Sequence, residues 1–238
     1  MNNLNNKVAY ITGGSKGIGY GVAKVLLDNG MKVAITSRSL SAARNAAESL
    51  SHDASKILAL ESDVSSLASE ISAVTKANAH FGKIDVLVAN AGVGHFASIE
   101  DLTEELWKTT IDTNLTGVFN SVKASLDALK KSEGYIITIA SLAGTNFFAK
   151  GSAYNASKFG LVGFTQSIML DLRQHGIKVS TIMPGSVATN FDDHIISDSD
   201  AWKIQPEDIG EMVADLLKMN PRTLPSKIEV RPSKPGKW

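Results

Sequence analysis

Residues Lys7–Gly19 read KVAYITGGSKGIG: an apolar, strand-like run, a loop with glycines at 13, 17 and 19, then the start of a helical pattern. Strand, glycine loop and helix in that order bring backbone N–H groups and a helix N-terminus against a phosphate. The spacing is G-x-x-x-G-x-G. Neither the G-x-G-x-x-G fingerprint nor the G-x-x-x-x-G-K-[ST] triphosphate loop is present. Alone, such a loop is also compatible with a plain tight turn, so its meaning depends on the rest of the chain.

The alternation begun there continues. Strand-like runs cover Lys7–Thr12, Lys32–Ser37, Lys56–Leu60, Ile84–Asn90, Gly134–Ala140, Ile177–Met183 and Ser226–Pro232. Helical patterns lie between them at Ile18–Asn29, Ser41–Leu50, Ser66–Ala79, Thr103–Lys130, Ala153–His175 and Pro206–Met219. Gly30, Gly82 and Gly176 stand where helices end and a left-handed cap favours glycine. Near-continuous apolar strands suit a parallel sheet covered on both faces. Right-handed crossovers then give an α/β, doubly wound sheet of about seven strands in a single domain over residues 1–238.

Composition narrows the function classes. Lys and Arg total 24, as do Asp and Glu, so there is no basic footprint for nucleic acid. The absence of cysteine rules out disulfides, thiolate metal sites and cysteine catalysis. No apolar run is long enough for a membrane span and the first one is already a strand, so a cytoplasmic location is expected.

The end of the second strand reads ITSRS. An acidic residue there would accept hydrogen bonds from a ribose 2′-hydroxyl; Ser37 and Arg38 stand in its place. Arg38 and Lys16, the lysine inside the glycine loop, can both reach a 2′-phosphate, which points to NADP(H) over NAD(H). Either cation alone is more ordinarily a solvated surface charge.

Tyr154 and Lys158 are four residues apart in a helical pattern, so their side chains share one face. An unperturbed tyrosine, with a pKa of about 10, is a poor base; a nearby ammonium favours the phenolate and should lower that value. Ser141 follows the fifth strand, at the sheet edge where ligands bind, and could hydrogen-bond a carbonyl oxygen as charge develops on it.

Together these motifs resemble the single-domain short-chain dehydrogenases/reductases, along nearly the whole chain. Thr12–Gly19, containing Gly13, Ser15, Lys16, Gly17, Ile18 and Gly19, resembles the family's T-G-x-x-x-G-x-G. Asp63-Val64 resembles its adenine-contacting pair, and Ala89-Asn90-Ala91-Gly92 its N-N-A-G. Asn114 stands for the catalytic asparagine, and Ser141, Tyr154 and Lys158 for the serine and Y-x-x-x-K pair. Pro184, Gly185, Val187 and Thr189 resemble the P-G-x-V-x-T segment beside the nicotinamide.

The resemblance implies a Rossmann-like fold and metal-free hydride transfer between NADP(H) and a small-molecule carbonyl or alcohol. It assigns acid/base work to Tyr154, and to Lys158 the lowering of its pKa and a hold on the nicotinamide ribose. It gives Ser141 the carbonyl and Asn114 a water relaying protons to Lys158. It also implies a homo-oligomer, tetramer or dimer, built partly on the two longest helical segments.

Two departures from that pattern matter, and one stretch is irregular. Ala89 replaces the first asparagine of N-N-A-G, at the cost of a local hydrogen bond. The C-terminus reads KIEVRPSKPGKW, with Pro232 and Pro235, instead of a glycine-rich ending. The Asp/Ser-rich stretch Asn190–Lys203 is a candidate substrate lid, within a substrate-binding loop over residues 190–205; a plain solvated loop is the other reading. By position Val93, His95, Phe147, Phe148, Phe191, His194 and Trp202 are candidate pocket residues, both histidines being more readily incidental than catalytic.

The leading expectation is an NADPH-dependent carbonyl reductase. A 3-oxoacyl-[acyl-carrier-protein] reductase is the alternative within the enzyme class. Against it, Asp192, Asp193, Asp198 and Asp200 on the lid would repel an acidic carrier. Outside that class stand a non-catalytic NADP(H)-binding regulator and a structural scaffold, which need no complete tetrad.

Overall fold

A computed structural model describes residues 3–234; residues 1–2 and 235–238, Pro235 among them, lie outside the described residues. The apolar runs become seven strands: β1 (Val8–Ile11), β2 (Lys32–Ser37), β3 (Ile57–Glu61), β4 (Val86–Ala89), β5 (Tyr135–Ile139), β6 (Lys178–Pro184) and β7 (Lys227–Val230). They form one parallel sheet in the order β3-β2-β1-β4-β5-β6-β7. β1, β4 and β5 are wholly buried, as near-continuous hydrophobicity requires when helices cover both faces.

The helices are α1 (Gly17–Asp28), α2 (Leu40–Leu50), α3 (Leu67–Phe81), α4 (Glu104–Ile111), α5 (Gly117–Ser132), α6 (Ser152–Leu172) and α7 (Pro206–Lys218). Val22, Leu26, Ile209 and Val213, from α1 and α7, pack in the apolar layer on one face of the sheet. Val74, Val118, Leu129, Leu161 and Met169, from α3, α5 and α6, fill the other. α1 and α7 approach so closely that a β-carbon at Gly21 would sit 2.5 Å from Pro206. No helix among the described residues is long and apolar enough to cross a membrane.

One expected helix is not regular. The Thr103–Lys130 pattern becomes α4 and α5 joined by a π-helical turn, Asp112–Thr116. The extra residue in that turn accommodates the buried, polar Asn114 without breaking the rod. β1 and β4 are neighbours whose chains continue to opposite sides of the sheet. The crevice beyond their C-terminal ends is therefore the topological switch point where such sheets bind ligands.

Candidate active site

A cleft of about 700 Å³ opens at that switch point. Gly13 and Gly17 have φ of +65° and +58°, a region most side chains avoid, so the glycine spacing is a backbone requirement. Gly19 is buried against Gly13 and Asn90, with no room for a β-carbon. Asn90 braces the loop: its amide donates to the carbonyls of Thr12 (2.9 Å) and Gly13 (3.1 Å), while the Thr12 hydroxyl accepts from the backbone of Asn90 and Ala91.

The start of α1 differs from its neighbours. Ser39, Ser66 and Thr103 cap α2, α3 and α4 with side-chain oxygens, whereas α1 has no side-chain cap and no acidic residue in its first turn. Its first N–H groups are therefore left for an external acceptor. Ser15, Lys16, Gly17 and Ile18 line the cleft beside them. Ser37 and Arg38 line it at the end of β2, and Asp63 and Val64 at the end of β3. Lys16 and Arg38 are exposed, and among the described residues neither makes an ion pair.

At the far end, Ser141, Tyr154 and Lys158 line the cleft together with Ala91, Gly92, Pro184, Gly185, Val187 and Thr189. Asn155, beside Tyr154, holds the Ser141 loop onto α6 by donating to the carbonyls of Ala143 and Asn146, both at 2.8 Å. The Lys158 ammonium lies 5.6 Å from the Tyr154 ring centre and donates to the Ile139 carbonyl at 3.1 Å.

The expected lowering of the tyrosine pKa is not what this geometry gives. Burial pushes the Tyr154 phenol up, and a hydrogen bond from Ser141 only partly offsets it. Burial likewise draws Lys158 down to about 8, because its amine is anchored beneath the ring away from solvent. A phenol held protonated is suited to donating a proton rather than taking one.

The lysine shift has a measurable sign. Below pH 8 the folded state carries the full cost of a buried ammonium. Between pH 8 and 10.5 it releases the proton before the unfolded chain does, so stability rises with pH. Above pH 10 the raised tyrosines Tyr154 and Tyr10 reverse the slope, since the folded protein then holds protons that the unfolded chain loses. Denaturant unfolding from pH 8 to 10 should show a gain of about 2 kcal/mol that Lys158→Met flattens.

Asn114 does not line the cleft. It is fully buried: its oxygen accepts from Val93 N at 2.8 Å, and its amide donates to the Val93 carbonyl at 2.9 Å and to Ser157 Oγ at 3.1 Å. With both donors committed, the side chain positions the β4–α4 loop and has no N–H left for a water. Asn114→Ala should cost about 2–4 kcal/mol in denaturant unfolding, because it strands both Val93 backbone groups.

Asn190, Phe191, Asp192, His194 and Lys203 line the cleft from the 190–205 segment. Asp200 is not the free surface charge expected from the sequence. It is buried, paired with Lys203 at 2.6 Å and His194 at 2.8 Å, and accepts from Ser197 N. These partners, Lys203 foremost, hold its carboxyl far below the usual range. That segment is correspondingly less acidic at its surface than its composition suggests. Of the other candidates Val93, His95, Phe191 and His194 line the cleft; Phe147, Phe148 and Trp202 do not, and Phe96, unforeseen, does. The C-terminal segment reaches the site too, through a hydrogen bond from Gly185 N to the Val230 carbonyl at 2.8 Å.

This fold and crevice define a nucleotide-binding α/β protein, and comparison with known proteins specifies which. The family model described as short chain dehydrogenase matches residues 7–200, and the chain belongs to that family of oxidoreductases. Over 233 residues it is 32% identical to an uncharacterised oxidoreductase of Staphylococcus aureus, covering 98% of this chain and 100% of that protein. It superposes with a TM-score of 0.90 on an alcohol dehydrogenase from the archaeon Thermococcus sibiricus complexed with 5-hydroxy-NADP, at 28% identity over 98% of this chain and 100% of that one. A 3-ketoacyl-(acyl-carrier-protein) reductase from Brucella melitensis complexed with NADH gives 0.88 at 27% identity, covering 97% and 98%.

Proposed function

We propose that the protein is an NADPH-dependent carbonyl reductase acting on small molecules, with Tyr154 as its acid and, in the reverse direction, its base. The observation that carries this reading is one continuous cleft with an uncapped helix N-terminus and two cations, unpaired among the described residues, at one end, and Ser141, Tyr154 and Lys158 at the other. The residues fit a 2′-phosphorylated dinucleotide. The N–H groups of α1 would hold the pyrophosphate, and Lys16 and Arg38 the 2′-phosphate. Asp63 and Val64 would hold the adenine, and the Pro184–Thr189 segment with Lys158 the nicotinamide side. When bound, that coenzyme supplies the hydride.

The chain's own residues do the rest. Ser141 orients the carbonyl oxygen, and Tyr154 transfers its phenolic proton to that oxygen as negative charge develops there. Lys158 lies close enough to stabilise the phenolate left behind. Asn114 holds Val93 and so shapes the floor of the site. Residues 190–205 serve as the substrate loop. Exposed Trp107, Phe119, Phe159 and Leu170 on α4, α5 and α6 favour assembly of copies of the chain through those helices.

The likeness to a 3-ketoacyl-(acyl-carrier-protein) reductase, and the withdrawal of Asp200 from the lid surface, favour a second reading as a 3-oxoacyl-carrier reductase. Asp192 and Asp198 remain exposed and weigh against an acidic carrier. A screen following NADPH consumption with aldehydes, ketones, β-keto esters and carrier-linked β-ketoacyl groups separates them. Turnover of the small carbonyls above that of the carrier-linked group is expected; the reverse order would favour the second reading.

A further inference from the structure

Three phenylalanines at the catalytic end have no part in the reaction just described. Phe96 follows β4, Phe148 follows β5 and Phe191 lies in the lid, so three separate loops bring them to one place. Phe96 meets Tyr154 nearly edge-on, with ring centres 5.3 Å apart and planes at 70°. Phe191 lies 5.8 Å from the same ring at 60°, and Phe148 backs Phe96 at 5.7 Å.

The arrangement is built into the backbone. A β-carbon at Gly94 would run into the Phe191 ring, and one at Gly151 would sit 2.6 Å from the Phe148 ring. A bridge between Ala97 and Gly151 ties the first two loops together. Yet the three rings stay 39%, 48% and 36% exposed, an apolar surface that water covers poorly. Exposed, pre-seated rings around a reacting hydroxyl are the form of a ligand pocket rather than of a core.

Resting on the reductase reading, we propose that Phe96 and Phe191, the first backed by Phe148, receive an aromatic ring attached directly to the substrate's carbonyl carbon. The substrate class is then aryl ketones and aldehydes, interconverted with benzylic alcohols. Rings tilted at 56–70° to one another present edges to faces, a pattern that another flat ring extends and a flexible chain does not. The substrate is neutral, because Lys203 is already spent on Asp200 and the Asp192 side of the lid lines the same rim.

The test compares kcat/KM, with NADPH saturating, for acetophenone, cyclohexyl methyl ketone, 2-octanone and a 3-oxoacyl thioester of N-acetylcysteamine. Acetophenone should exceed cyclohexyl methyl ketone by about tenfold or more, and Phe96→Leu and Phe191→Leu should each shrink that ratio severalfold. Preference for 2-octanone or the thioester, or a ratio indifferent to both leucine variants, overturns the proposal while leaving the reductase reading intact. Turnover of none of the four counts against the reductase reading instead. Calorimetric titration of NADPH-loaded Tyr154→Phe protein then decides the pocket: tighter binding of acetophenone than of cyclohexyl methyl ketone upholds it, and equal or weaker binding overturns it.

Discussion

Tyr154→Phe should lower kcat for carbonyl reduction by about 10³-fold or more while NADPH binds as tightly as before. The substitution removes one oxygen and keeps the ring, so the contacts of that ring with Phe96 and Phe191 survive. On the proposed mechanism, what is lost is the proton donor. Burial holds the phenol protonated, and Ser141, the nearest other hydroxyl, also accepts from Ala143 N at 3.1 Å and is a far weaker acid than a phenol. The loss should therefore fall on kcat with KM little changed, the signature of an interaction made only in the transition state. A fall of less than about tenfold would mean that another group supplies the proton.

Arg38→Asp should lower the ratio of kcat/KM with NADPH to that with NADH by about 10²-fold. A hydrogen bond to a charged group contributes roughly 1.5–3 kcal/mol, and the new carboxylate adds repulsion toward the 2′-phosphate. Because Arg38 is exposed and makes no ion pair among the described residues, the fold should not suffer. Adding Lys16→Ala should deepen the change. The fold alone does not choose the coenzyme: the Brucella melitensis neighbour is complexed with NADH. On the proposed reading the choice in this chain rests on the two cations, and an unchanged ratio would contradict their assignment.

The strands and the glycine loop were legible because each leaves a one-dimensional signal: apolar runs of fixed length, and glycines where φ turns positive at 13, 17, 30, 82 and 176. The Ser141–Tyr154–Lys158 cleft end was legible from helical spacing and the strand-end position of the serine. The rest depended on contacts between distant segments. A π-turn costs the sequence nothing but a polar run, DTNLT, so the Thr103–Lys130 pattern reads as one regular helix. Glu70 reads as an ordinary acidic residue in the first turn of α3, yet it is buried against Tyr10 and Ser62, and burial raises its pKa.

Asp200 reads as one of several lid acids until Lys203 and His194 fold onto it. Phe96 carried a weak signal, an aromatic six residues past Asn90, but only the seats at Gly94 and Gly151 give the phenylalanine cluster its meaning. The direction of the tyrosine shift was missed for a related reason. Spacing put the amine near the ring, but burial, which spacing does not reveal, raises the phenol and draws the lysine down.

Hydride transfer itself is the claim on which the rest depends. Reduction of acetophenone with NADPH deuterated at the transferable position of the nicotinamide tests it most directly, with the product read by mass spectrometry and NMR. Deuterium should appear on the carbinol carbon, one atom per coenzyme oxidised, in the native protein but not in Tyr154→Phe over the same interval. NADPH that binds while its deuterium stays in place, across every carbonyl of the screen, would contradict the account and leave a protein that holds the coenzyme without using it.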